Sequence, residues 1–77
     1  MIVEEYRCPQ SNILYKSGKR CFWYKYSFEQ IPIESGYGTI IEIIPISIGS
    51  SSFVSLLILT DEGNLESFPV QDVDIEE

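Results

Sequence analysis

Apolar and polar positions alternate most regularly from Arg20 to Phe28. Phe22, Tyr24, Tyr26 and Phe28 fall in one phase of a two-residue period, and Cys21, Trp23, Lys25 and Ser27 in the other. A pleated strand imposes that period, because successive side chains leave it on opposite faces. The four-ring phase is expected to face the core of so small a chain, with Trp23 and Lys25 turned outward. Other runs predict further strands over Ile2 to Arg7, Asn12 to Lys16, Thr39 to Ile48, Phe53 to Thr60, Leu65 to Phe68 and Val73 to Glu76. Phe53 to Thr60 is apolar on both faces apart from Ser55, which predicts a strand that is central or covered by a partner. Pro45 has no N–H to give a ladder and marks a bulge, a bend or an edge.

Between these runs lie breaks with recognisable turn chemistry. Cys8-Pro9 ends the first run, and Ser17-Gly18-Lys19 makes a short turn. Glu29 to Gly38, with Pro32, Gly36 and Gly38 as breakers, reads as a loop. Gly49 to Ser52 is a turn, and Asp61-Glu62-Gly63-Asn64 a tight hairpin with Gly63 or Asn64 left-handed. Pro69 to Asp72 has room for one helical turn, and no window carries the three-and-four apolar spacing of a longer helix. The expected fold is all-β: a small antiparallel barrel or strongly twisted sheet of about five to six strands, in one domain over residues 1–77.

Composition supports this. Twelve residues are Ile, a β-branched strand former, and none is Ala. The chain is 44% hydrophobic and 22% charged, a globular balance. A domain this short buries only about 60% of the surface its unfolded chain exposes, so its margin is thin and a homodimer is expected to supplement it.

From Gly36 onward the order of features resembles an SH3-like small β-barrel. The run is Gly38-Thr-Ile-Ile-Glu-Ile-Ile, then Phe53-Val-Ser-Leu-Leu-Ile-Leu-Thr, then Asp61-Glu-Gly-Asn-Leu-Glu-Ser-Phe-Pro, then Val70-Gln-Asp-Val-Asp-Ile. The resemblance implies a strand opening after Gly, an acidic-Gly hairpin, a helical turn near a Pro and a brief closing strand. It implies a fold more than a role, since such barrels host peptide, nucleic-acid and scaffold functions.

Charge narrows the partners. The net charge is −7; residues 6 to 28 hold all five bases and no acid, while residues 29 to 77 hold ten acids and no base. An electrically two-sided protein is expected, its acidic side dominant, repelling duplex nucleic acid and attracting basic partners. The opening Met-Ile-Val-Glu-Glu puts two acids where a secretory leader has a basic region, so no leader is expected and the cytoplasm is the expected compartment. Ile40 to Ile48, interrupted by Glu42 and Pro45, is far short of the roughly 20 residues of a membrane span, and no membrane partner is expected.

Without His, the chain lacks Ser-His, Cys-His and His-metal constellations, and Gly36-Tyr-Gly38 is too short for a phosphate loop. No enzyme, cofactor or metal site is expected. Cys8 and Cys21 read as two buried free thiols, with a disulfide or a metal shared across a dimer as alternatives.

Two constellations remain. Asp61, Glu62, Glu66, Asp72, Asp74 and Glu76 crowd the C-terminal end; Asp72, Asp74 and Glu76 share a strand face if Val73 and Ile75 point inward, and alternate residues about 6.6 Å apart can imitate phosphates. The leading expectation is therefore a non-catalytic acidic module that occupies the basic surface of another protein, in its extreme form a phage-type inhibitor or DNA mimic. Lys16, Lys19, Arg20, Trp23 and Lys25, interleaved with aromatics over residues 15–28, are the second. They suggest an SH3-like adaptor for peptide or single-stranded nucleic acid, anchored by an exposed Trp23. A small structural subunit is the third reading.

Overall fold

In the computed structural model, which describes residues 3–76, nearly every element is a strand. β1 (Glu5–Arg7) and β2 (Leu14–Lys16) form an antiparallel hairpin. β3 (Arg20–Tyr26), β4 (Pro32–Ile48), β5 (Ser51–Thr60), β6 (Leu65–Pro69) and β7 (Val73–Ile75) form a five-stranded antiparallel sheet in the order β6-β5-β4-β3-β7. A 3-10 turn, Val70–Asp72, links β6 to β7. Among the described residues β6 and β7 do not pair, so of the two expected forms the molecule takes the open twisted sheet, not the closed barrel. Of the expected first strand, Ile2 lies outside the described residues and Val3 makes a single bridge to Ile43.

β4 has 17 residues. Straight, it would run about 50 Å; the longest dimension of the molecule is 31 Å, so the strand must curl. The register slips between Ile40 and Glu42, leaving Ile41 as the extra residue of a bulge that bends the strand there.

The loop expected from Glu29 to Gly38 is mostly strand: β4 starts at Pro32, and only Ser27 to Ile31 turns. The glycines misled because they mark close approach instead of breaks. A Cβ on Gly36 would lie 2.7 Å from Trp23 Cζ2, and one on Gly38 would lie 2.6 Å from Ile58 Cγ2. The hairpin at Asp61 to Asn64 forms as expected, with Gly63 at φ 92°.

The core lies on one face of the sheet. Cys21, Trp23, Ile40, Ile43, Leu56, Ile58, Phe68 and Val73 line it, and Cys8 and Tyr15 of the N-terminal hairpin cover it. Tyr15 donates its hydroxyl to the carbonyls of Val73 (2.8 Å) and Val70 (3.2 Å), tying the hairpin to the closing strand. Both Cys8 and Cys21 are buried free thiols.

This arrangement reverses the expected faces of β3. Trp23 is 3% exposed and belongs to the core, while Phe22, Tyr24 and Tyr26 lie on the open face. Periodicity cannot choose between two apolar phases; the cross-strand neighbours choose. Trp23 stands opposite Gly36 and Val73, which leave room for an indole, and its ring stacks on Phe68 at 5.2 Å. Phe22 stands opposite Tyr37 and Asp74. Phe28 lies beyond β3 and is fully exposed.

Candidate protein-binding face

The open face of β3 and β4 carries the rings that the core does not use. Phe22 meets Tyr24 and Tyr37 edge-on, both at 4.8 Å between centroids, and Tyr24 and Tyr26 follow at 6.3 Å. Alternation along β3 spaces the first three, and the β3–β4 register sets Tyr37 beside Phe22. Beside them a groove of about 640 Å³ runs between Phe22, Tyr24 and Tyr26 on one side and Pro32 to Ser35 on the other. Tyr26, Ile33 and Tyr37 are exposed. Tyr24 donates its hydroxyl to Asp74 Oδ2 at 3.0 Å, a bond that raises the phenol pKa and holds the ring against the sheet.

The basic residues do not form the expected platform. Arg20 shares the open face with Phe22 but is held by Asp61 in a bidentate pair at 2.7 and 2.8 Å, with Glu76 at 3.8 Å. The pair raises the guanidinium pKa and lowers that of the Asp61 carboxyl. Lys25 is turned to the core side with Trp23, not outward. Its ammonium lies 2.6 Å from Glu66, 3.7 Å from Glu34 and 5.6 Å from the Trp23 ring centroid, and Glu66 above all raises its pKa. Lys16 ends β2 and Lys19 lies in the turn before β3, both exposed.

The acidic row is also rearranged. Val73 and Ile75 do point inward, so Asp74 and Glu76 share the open face. Asp72 belongs to the 3-10 turn, half-buried, where desolvation raises its carboxyl pKa. Asp61 and Glu66 are taken up by Arg20 and Lys25, and Glu62 stays exposed at the hairpin tip. These pairs bind the basic segment to the acidic ones, so the expected two-sided charge is partly closed within the fold.

Sequence reasoning missed Pro32, Ile33 and Tyr37, which it assigned to a loop, and gave Phe22, Tyr24 and Tyr26 to the core. The available signal was Gly36 and Gly38, one period apart, marking the side of β4 that must admit an indole. Elsewhere, Cys8 lines a second pocket of about 240 Å³ with Ser11, Tyr15 and Asp74. A hydrogen bond with Ser11 lowers its thiol pKa, whereas burial raises that of Cys21 to about 11. Compared with protein-family models, curated proteins and solved structures, the chain matches none. Among the described residues, no helix is long and apolar enough to cross a membrane.

Proposed function

We propose that this protein is a non-catalytic acidic binding module that docks an extended basic segment of another protein across the aromatic face of β3 and β4. One observation carries the reading: Phe22, Tyr24, Tyr26 and Tyr37 form a contiguous cluster outside the core, beside an open groove. A 77-residue domain that leaves four rings outside its core, Tyr26 and Tyr37 of them exposed, gives up burial its core would use. Tyrosine suits such a face, since it presents large contact area at low conformational cost and is enriched where binding energy concentrates. Proline rings and guanidinium groups both pack on aromatic faces, and net −7 favours a cationic ligand. The strand order, with its 3-10 turn before the closing strand, supports an open SH3-like sheet as the scaffold.

Two observations weigh against the other expectations. A stacking platform for single strands needs cations beside its rings, and Arg20 is committed to Asp61 while Lys25 faces away. A phosphate-like row needs free, evenly spaced carboxylates, and Asp61 and Glu66 are ion-paired while Asp72 leaves the strand.

Fluorescence anisotropy with labelled peptides of alternating proline and arginine, against acidic and neutral peptides of equal length, tests the proposal. The basic set should bind best, and Tyr24→Ala, Tyr26→Ala and Tyr37→Ala should each weaken it by about tenfold, roughly 1.4 kcal/mol. Binding that survives all three replacements, or a preference for oligothymidylate over every peptide, rejects this face as a protein-binding site.

A further inference from the structure

Beyond Glu42 the β4–β5 hairpin leaves the body of the sheet. β3 pairs with β4 only as far as Thr39, and β6 pairs with β5 only from Ser55 to Leu59. Ile44 to Ile48 and Ser51 to Val54 are thus a two-stranded ribbon joined at Gly49-Ser50. Such a ribbon is at best marginally stable in water with nothing packed against it. Its open side sets Ile46 opposite Phe53, with Ile48 next along the strand. Phe53 is 47% exposed and Ile48 66%. The outer edge of β5 from Ser51 to Val54 has no neighbouring strand among the described residues, whereas β4 carries the Val3 bridge at Ile43 and a proline at position 45.

Charge decides what fits this surface. Residues 43 to 60 contain no charged side chain, in a chain of net −7. A basic partner gains no electrostatic advantage there. Two copies of an acidic chain repel wherever carboxylates meet, and the ribbon lets them meet without that repulsion. A two-fold axis makes the contact self-complementary, the same apolar patch meeting its own copy.

We propose that two copies of the chain associate through this ribbon, the face that carries Phe53, Ile46 and Ile48 packing on the same face of the other copy. The interface lies at the far end of β4 from the aromatic groove, so the dimer leaves both grooves open and does not depend on their function. A ribbon this short makes a small contact, and association in roughly the micromolar range is expected.

Sedimentation velocity under reducing conditions, from low to high micromolar protein, tests this. The apparent mass should rise with concentration from 8.8 kDa toward twice that value. Added salt should strengthen association, since it screens the repulsion between acidic copies. Phe53→Glu and Ile48→Glu should each hold the protein monomeric with unchanged circular dichroism, while Tyr26→Ala leaves the dimer intact. Should Phe53→Glu unfold the chain, Ile48→Glu decides alone, because that side chain is two-thirds exposed. A single 8.8 kDa species at the highest concentration, or a dimer indifferent to the variants, overturns the proposal. So does flotation of the parent, but not of Phe53→Glu, with lipid vesicles, which makes the ribbon a membrane contact.

Discussion

Replacing Gly36 by alanine would put a Cβ 2.7 Å from Trp23 Cζ2, closer than two carbon atoms can stand. The indole cannot retreat, because Phe68 stacks on it at 5.2 Å and its Nε1 donates to the Tyr37 carbonyl at 3.2 Å. Overpacking of this kind costs about 1–3 kcal/mol, and each kcal/mol lowers the melting temperature of a domain this size by about 4–8 °C. Gly36→Ala should therefore melt several degrees early in a thermal scan, with a red shift of Trp23 fluorescence as the ring is pushed toward water. A variant with the parent's melting point and emission maximum would show that the indole is not packed there. The same contact explains what could be read of β3 and what could not. Its period of two was plain in the sequence. Which phase faced inward depended on a glycine thirteen residues away, and single-strand periodicity carries no information about that neighbour.

Elements set by local chemistry were legible; elements set by curvature were not. The Asp61 to Asn64 hairpin, the single turn after Pro69 and the brief closing strand follow from turn residues and short apolar runs, and all three form. β4 was cut in half because its glycines look like breakers, when they admit Trp23 and Ile58 across the sheet. The 3-10 turn shows the cost of tertiary position. Asp72 was read as one carboxylate in an outward row, but the turn half-buries it, and burial alone raises its pKa. For an acid the sign is opposite to that of a salt bridge. A raised folded pKa favours the protonated form, so that contribution to stability is present below the ordinary value of 3.8 and is lost as pH rises through the folded one. Asp72→Asn should then raise the melting temperature at neutral pH and leave it unchanged below 3.8. An equal gain at both pH values would assign the effect to packing instead of charge.

At the scale of the whole molecule, the segregation of charge along the chain becomes interleaving in space. β3 brings the basic segment between strands that carry acids, and Arg20–Asp61, Lys25–Glu66 and Lys25–Glu34 join the two. Folding thus uses some of the opposite charge internally and leaves a net −7 as a diffuse field, with Glu42 and Glu62 exposed and in no ion pair among the described residues. A diffuse field and a contact surface act on different steps of binding. Long-range attraction governs how fast a charged partner arrives, whereas close packing governs how slowly it leaves. The double variant Glu42→Gln, Glu62→Gln should therefore slow association with a basic peptide and barely alter dissociation. Tyr26→Ala should do the reverse. The charge effect should fade as salt rises, because screening sets in beyond about 10 Å at 0.1 M. Stopped-flow kinetics at two salt concentrations separates these contributions. If the double variant associates as fast as the parent at low salt, the unpaired acids serve only solvation, and recognition rests on the aromatic face alone.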